Sequence, residues 1–380
     1  SLSFSTSQQV VNRPYQETSS RVSGSEIISS NSKTSYNGNY GLNASWTLYN
    51  GNKRLKTIQQ EKLNNQMAEL DVATSENNIQ ESIAQVYIQI LYAAESVKVN
   101  ENTLQVSIAQ RDRGQELLNA GSIAKSDLAQ LEAQVSTDRY QLVTAQATLE
   151  DYKLQLKQLL ELDGENEMNI YLPALSDENV LAPLPTKRDV YISALSLRPE
   201  IEASKLNVEA SELDINIAKS SYFPTISLSA GIGTNHTSGS DFTFGEQVKN
   251  GWNNSIGLSV SVPIFNNRQT KSAVQKAKLQ YETSMLSLLD EQKALYKTIE
   301  SLWLDANSAQ QRYAAANEKL KSTQISYELI SEQFNLGMKN TVELLTEKNN
   351  LLQAQQEQLQ AKYMAILNTQ LLKFYQGDQL

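Results

Sequence analysis

Few residues in this chain could carry chemistry. It has no cysteine and one histidine, His236, which excludes thiol catalysis, disulfide scaffolds and zinc sites built from cysteine and histidine. His236 stands in the polar segment Asn235-His236-Thr237, predicted as a hairpin loop, with no ligand at metal-binding spacing. No nucleophile, base and orienting group occur together as an active site requires. We therefore expect no enzyme, no metal and no cofactor.

Two carboxylates, Asp127 and Glu343, stand near Gly121 and Gly337, where long helices are predicted to turn. A carboxylate in the first turn of a helix is stabilised by the helix dipole. This structural role and a functional role at the turn both remain open on the residues alone.

Charge and hydropathy narrow the partners. The net charge of −9 argues against nucleic acid or anionic lipid as the main partner, because both need clustered Lys and Arg. No stretch approaches the ~18 uncharged apolar residues of a transmembrane helix. No leader peptide opens the chain, so an exported protein would have lost its leader before Ser1.

Proline is absent from 15–172 and from 264–380. Because proline costs about 3 kcal/mol inside a helix, these runs predict long helices. We predict helices at 52–119, 123–162, 267–335 and 339–375, and a further one at 187–221. At 1.5 Å per residue, the first and third are each roughly 100 Å long.

The predicted helices carry a coiled-coil pattern. In the second, apolar residues from Leu128 to Leu159 follow alternating steps of three and four, and Asp138 alone interrupts them. In the fourth, apolar residues recur every seven positions at Leu345, Leu352, Leu359 and Ile366. A 3.5-residue repeat predicts left-handed supercoiling. A plain antiparallel coiled-coil spacer would show the same pattern.

Four stretches alternate with a period of two, which predicts strands at 40–49, 225–233, 255–264 and from Leu2. Strands of about 9–11 residues with one apolar face suit a wall between lipid and water. A soluble half-buried sheet alternates in the same way, but the uncharged Ser, Gly, Asn and Thr face favours a pore lining, with Asn43 and Ser259 toward the lumen. Leu48 falls on the apolar face and Tyr49 on the polar one. The residues predicted to face lipid are Leu42, Trp46, Leu228, Leu258, Val260 and Val262.

The chain repeats itself at an offset of 216. Residues 41–63 align with 257–279, and Gly121 aligns with Gly337. The second half also has a helix before its first strand, so the repeat predicts that an equivalent helix preceded Ser1 in a longer chain. The predicted segments are a barrel hairpin (1–50), a helical hairpin (51–162), a linker (163–190), a helix with a second barrel hairpin (191–265) and a second helical hairpin (266–380).

Four strands cannot close a barrel, since bacterial barrels begin at about eight strands. Open edges in lipid would leave backbone groups unsatisfied, at several kcal/mol each. The strands therefore predict a sheet that closes by sharing strands between subunits.

The motifs at the strand-to-helix junctions and helical turns resemble those of the TolC family of outer-membrane efflux proteins. The matching segments are GLNASWTLYNG, GLSVSVPIFNN, LNAGSIAKSDL (118–128), FNLGMKNTVELL (334–345), and Leu197-Arg198-Pro199-Glu200 followed by Tyr222-Phe223-Pro224. The resemblance covers nearly the whole chain. It implies a mainly α fold with a small β part: a homotrimer with a shared 12-stranded barrel in outer-membrane lipid and a coiled-coil tunnel extending into the periplasm. It also implies that 163–190 forms an equatorial belt.

The resemblance implies the exit duct of a tripartite efflux pump, which passes small molecules from a periplasmic adaptor and an inner-membrane transporter to the exterior. Two alternatives stay open. One is the outer-membrane component of a type I protein secretion system. The other is a non-conducting trimeric spacer, which would need apolar side chains along its axis.

The resemblance further implies that the turns at Gly121 and Gly337 form the periplasmic gate and adaptor-docking tip. Family gates carry acids six and nine residues after the second turn glycine, which here are Glu343 and Thr346, so one acid is lost. Three copies of Glu343 near an axis would select cations and raise one another's pKa.

Two further positions depart from the family's gate. Phe334 replaces a tyrosine and has no hydroxyl to bond Asp127. Lys339 replaces an arginine, and could reach Ser126 but without a bidentate fork. We therefore expect the gate contacts to be weaker than in the family, or to be formed by different partners.

Overall fold

The computed structural model describes residues 1–15, 19–23, 26–30, 33–162, 170–171, 180–238 and 240–378. Within them the chain is mainly α-helical with a small β part, as predicted. The strands are β1 (Leu2–Asn12), β2 (Ser19–Ser23), β3 (Glu26–Ser30), β4 (Thr34–Asn50), β5 (Thr225–Thr237) and β6 (Asn253–Ser261). The helices are α1 (Lys53–Asn119), α2 (Lys125–Leu159), α3 (Lys187–Leu197), α4 (Pro199–Lys219), α5 (Phe244–Asn250), α6 (Gln269–Asn335) and α7 (Thr341–Gln376), with a short 3₁₀ turn at Ser220–Tyr222.

The first compact unit comprises Ser1–Asn65 and Asn207–Met285. It contains an antiparallel sheet in the order β1-β4-β5-β6, while β2 and β3 form a separate ribbon. The sheet is longer than predicted at the β1–β4–β5 end, where Gly38 pairs with His236. A Cβ at Gly38 would lie 2.2 Å from a ring carbon of His236. His236 thus lies on a strand and packs over a glycine, which corrects its predicted place in a loop.

Two strand details differ from the prediction. A β-bulge between Thr47 and Tyr49 brings Tyr49 opposite Ile226, so Tyr49 takes the place on the apolar face that was predicted for Leu48. A bulge adds one residue to a strand and therefore reverses the alternation beyond it. β6 ends at Ser261 instead of reaching 264, because Pro263 has no N–H to donate to the ladder.

The second unit comprises Gln66–Leu206 and Leu286–Leu380. Trp303 on α6 donates its indole N–H to the carbonyl oxygen of Pro185 at 2.9 Å, and Gln310 donates to that of Ala182 at 2.8 Å. The end of the predicted linker therefore packs on α6, and its residues 163–169 and 172–179 lie outside the described residues. One buried cluster joins α3, α4, α6 and α7 through Val190, Ala194, Ile201, Leu295, Ile299, Ala306 and Leu372.

The predicted helix at 187–221 is two helices. Arg198 has extended backbone angles (φ −75°, ψ 122°), α3 ends before it and α4 begins after it. Proline disfavours the helical conformation in the residue before it and is tolerated in the first helical turn. The single predicted helix is therefore wrong at Arg198-Pro199, and the break positions the Arg198 side chain.

The repeat is visible residue by residue. Helices α1 and α6 each have 67 residues, and both their ends differ by the offset of 216. Each is preceded by two residues with positive φ, Gly51-Asn52 and Asn267-Arg268. Gly51 has a second constraint, because a Cβ there would lie 2.6 Å from the carbonyl oxygen of Ser220. The two halves therefore use the same backbone at the strand-to-helix junction.

Candidate functional site: two helical turns and an apolar sheet face

The two helical turns share one backbone conformation. Gly121 and Gly337 have φ of +72° and +74°. Gly121 donates its N–H to the carbonyl oxygen of Leu118 at 2.9 Å, and Ser122 donates to that of Leu117 at 2.8 Å. Gly337 and Met338 repeat these bonds in the second half. This is a Schellman cap, whose left-handed residue is usually glycine.

The carboxylates after the turns cap the N-termini of α2 and α7. Asp127 accepts a hydrogen bond from the backbone N–H of Ala124 at 3.0 Å. Glu343 accepts one from the N–H of Asn340 at 3.2 Å, and its own N–H donates to the side-chain oxygen of Asn340 at 2.9 Å. The structural role is therefore present at both positions.

Lys339 is paired within its own segment. Its Nζ lies 2.6 Å from Oε1 of Glu343, and both side chains are partly exposed. The hydrogen bond from Lys339, followed by the one from the backbone of Asn340, lowers the pKa of the Glu343 carboxyl. Within one chain, Lys339 thus acts on Glu343, whereas the sequence prediction directed it toward Ser126, which is exposed.

The remaining predicted gate residues are also placed. Phe334 is buried, and its ring helps fill the interior just before the second turn. Thr346 donates its hydroxyl to the carbonyl oxygen of Val342 one helical turn earlier, at 2.8 Å. A gate role for these residues stays a prediction.

Sequence reasoning missed an apolar group on the second turn. Leu336, Met338 and Val342 are 75%, 69% and 58% exposed. Their equivalents in the first half are Ala120, Ser122 and Ser126. The turns therefore have the same backbone and different surfaces. Comparing the two repeats position by position would have found this difference.

The sheet has one contiguous apolar face. Trp46 lies opposite Leu228, which lies opposite Leu258, while Val260 lies opposite Ile226. Trp46, Leu258 and Val260 are 60%, 64% and 59% exposed. Leu42 continues the same face, whereas Val262 lies beyond the end of β6.

The opposite face is polar and uncharged. Ser227 lies opposite both Thr47 and Ser259, and Asn43 donates its side-chain amide to the hydroxyl of Ser5 at 3.3 Å. These short side chains bond to one another and to neighbouring backbone carbonyls, as Ser229 does to Gly257 at 3.2 Å. The predicted alternation of faces is thus present up to the bulge in β4.

The described residues contain no group of three or more His, Asp and Glu side chains that could hold a metal ion. In the same part of the chain, no helix combines the length and the apolarity that crossing a membrane requires.

The protein is a duplicated strand-and-helix fold. Each half contributes two strands to the four-stranded sheet, has residues with positive φ before its long helix, and has a capped turn between its two helices. The chain matches the family "Outer membrane efflux protein" over residues 5–161 and 190–377. The protein belongs to this family, which confirms the resemblance found in the sequence. The family is one of efflux proteins in the outer membrane, and localisation there is as predicted.

Two relatives are similar in sequence. The outer membrane efflux protein BepC of Brucella suis biovar 1 (strain 1330) is 24% identical over 294 residues, which are 77% of this chain and 61% of BepC. The outer membrane protein TolC of Escherichia coli (strain K12) is 24% identical over 294 residues, which are 75% of this chain and 58% of TolC. The chain thus spans about three fifths of these relatives.

Solved structures share the fold. CusC superposes with a TM-score of 0.78 at 19% identity, over 99% of this chain and 83% of that chain. The outer-membrane channel OprN superposes with a TM-score of 0.75 at 18% identity, over 100% of this chain and 82% of that chain. At these identities the likeness shows the fold of the single chain, and it confirms the predicted mainly α fold with a small β part.

Proposed function

We propose that three copies of this chain form a channel in the outer membrane that passes small molecules to the exterior. The observation that carries the proposal is the four-stranded sheet, which exposes a broad apolar face on one side and small polar side chains on the other. Monomeric soluble proteins rarely expose so contiguous an apolar surface. A wall with lipid outside and water inside accounts for both faces.

The edges of the sheet account for the oligomer. Strands β1 and β6 lie at its two ends, and in the described residues neither has a second strand partner. Unpaired backbone groups in lipid cost several kcal/mol each. Pairing β1 of one copy with β6 of the next removes both edges, and three copies of four strands give a 12-stranded barrel of ordinary bacterial size.

The two helical turns are the proposed periplasmic tip. There the gate and adaptor-docking residues would be Gly121, Ser126, Asp127, Phe334, Gly337, Lys339, Glu343 and Thr346. The exposed Leu336, Met338 and Val342 add an apolar contact surface for a periplasmic adaptor, which would link the channel to an inner-membrane transporter. Apolar anchors of this kind supply much of the binding energy of protein interfaces.

A second candidate is the outer-membrane component of a protein secretion system. The relative named alkaline protease secretion protein AprF, from Pseudomonas aeruginosa, is 21% identical over 80% of this chain. A drug-susceptibility assay separates the two: deletion of the gene should sensitise cells to small toxic compounds if the cargo is small molecules. Loss of a secreted protein without sensitisation would favour the second candidate.

The channel itself is tested on protein extracted from outer membranes in detergent. Light scattering should give three times the chain mass of 42.4 kDa. The same preparation should produce discrete conductance steps in a planar bilayer. A stable monomer, or a trimer that never conducts, would contradict the proposal, and the latter would favour the spacer.

A further inference from the structure

Three polar side chains meet in the interior of the second unit, between α1, α2 and α7. Ser107, Asp138 and Lys348 are 2%, 2% and 3% exposed. The ammonium of Lys348 donates to a carboxylate oxygen of Asp138 and to the hydroxyl of Ser107, and that hydroxyl donates to the same carboxylate. Gln134 donates to the other carboxylate oxygen at 2.9 Å. We call these three residues the Ser107–Asp138–Lys348 cluster.

A contribution to folding stability does not by itself account for this cluster. Replacing a buried ion pair by apolar side chains of similar volume is often neutral or stabilising, so such a pair is weak evidence for stability. Its hydrogen bonds are directional, and they fit one rotation and one axial position of α7. Asp138 also occupies a position in the apolar series of α2 where the pattern calls for an apolar residue. The cluster therefore specifies an arrangement of helices at the expense of ordinary core packing.

The cluster has no equivalent at the positions related to it by the internal repeat. The positions 216 residues away are Thr323, Ala354 and Glu132. The hydroxyl of Thr323 donates to the backbone carbonyl oxygen of Lys319 in its own helix at 2.9 Å, and Glu132 is exposed. The second copy of the cluster is thus missing, although the helix ends and turns of the two halves match. This charged contact joins α7 to the first-half hairpin.

Among the described residues, neither Phe334 nor Lys339 makes a polar contact with the first-half turn. Phe334 has no hydroxyl, and Lys339 is occupied by Glu343 on its own segment. Lys348 is the eighth residue of α7, about 10 Å along the helix from its first residue. This polar contact between the halves therefore lies two helical turns inside the proposed tip, and Gln134 adds a second one by donating to the side-chain oxygen of Asn349 at 3.4 Å.

We propose that the Ser107–Asp138–Lys348 cluster restrains α7 against the α1–α2 hairpin while the channel is closed, and that this contact breaks when the tip opens. The proposal rests on the proposed function. In it, the three residues are positioning residues: they touch no cargo and act by fixing one helix on two others.

The test uses the purified full chain in planar bilayers. The main variant is Asp138→Leu with Lys348→Met, which completes the apolar series of α2 and keeps the volume of the lysine stem. Because an apolar replacement of this kind leaves a core packed, trimer mass and helical content should not change. Open probability should rise on the order of tenfold, the ratio that corresponds to about 1.4 kcal/mol.

The matched control is Lys153→Met on α2. Lys153 pairs with Glu150 of the same helix at 2.7 Å and its partner is largely exposed, so this change removes an ion pair that joins no two helices. Its open probability should equal that of the wild type. An equal rise in the control would show that helix α2 responds to any lost ion pair, and would overturn the proposal.

A second double variant restores the contact by other means. Ser107→Cys with Lys348→Cys removes the cluster, and a short bifunctional thiol reagent can then join the two positions in a chain with no other cysteine. Opening should rise before cross-linking and return to the wild-type level after it. If the wild type conducts and these variants open no more often than it does, the restraint is refuted alone. If neither the wild type nor the variants conduct, the proposed function is refuted, and the restraint with it.

Discussion

Replacing Arg198 by methionine should destabilise the second unit by about 3–4 kcal/mol. The Arg198 side chain is 6% exposed and its guanidinium nitrogen lies 3.1 Å from the Glu81 carboxylate. Removing one partner of a buried pair costs about 3–5 kcal/mol. The Glu81 side chain keeps 21% of its surface exposed, so solvent screening places the loss at the lower end. The guanidinium carbon also lies 3.5 Å from the ring centre of Tyr375, a contact that contributes about 1 kcal/mol.

The assay is thermal loss of helical circular dichroism, at one protein and detergent concentration. The midpoint should fall by roughly 5 °C or more. Arg198→Met with Glu81→Gln should recover part of the loss, because the uncompensated charge is gone. The control is Lys205→Met, which breaks an exposed pair with Glu202 at 3.0 Å and should cost at most about 0.5 kcal/mol. Equal midpoints for Arg198→Met and Lys205→Met would refute the reasoning.

Three further predictions concern single side chains. Cysteine at Leu258 should react slowly with a water-soluble thiol reagent in membranes and cysteine at the adjacent Ser259 quickly; equal rates would refute the assignment of faces. Burial raises the pKa of Tyr375 to about 12, so its contribution to stability should be complete below pH 10 and lost toward pH 12, less so in Tyr375→Phe; an unchanged alkaline limit would contradict this. Because Lys339 offsets Glu343, Glu343→Gln should shift channel selectivity toward anions and Lys339→Met toward cations, measured by reversal potentials; no shift in either would place both residues away from the pore.

Helix boundaries were predictable because breakers mark them. Predicted helices at 52–119 and 267–335 are observed as Lys53–Asn119 and Gln269–Asn335. Proline and, less strictly, glycine are energetically disfavoured in helix interiors, so their positions predict helix ends without tertiary information, although α1 accommodates Gly114. The same logic applied to Pro199 would have divided the helix at 187–221. There the apolar pattern continued on both sides of the proline and concealed the break.

Contacts between distant residues were not predictable in the same way. The strand extension at Gly38 and the bulge in β4 depend on pairing with β5, almost 200 residues later, where propensity carries little information. Asp138 was visible as the one interruption of an apolar series. Its partner Lys348 stands on another helix, and nothing local distinguishes it from other lysines. The sequence thus located an anomaly, and only the packing of α1, α2 and α7 explained it.

The internal repeat allows the two halves to be compared at equivalent positions. The two halves have the same helix ends, the same strand-to-helix junctions and the same turn conformation. At the turn itself the first half keeps Ala120 and Ser122, whereas the second carries exposed Leu336 and Met338. The buried charge of Lys348 has no counterpart at the equivalent first-half position, where Glu132 is exposed. These differences at equivalent positions are consistent with different tasks for the two hairpins. We therefore expect substitutions in the α6–α7 hairpin to affect partner binding and opening more than substitutions at the equivalent positions of the α1–α2 hairpin.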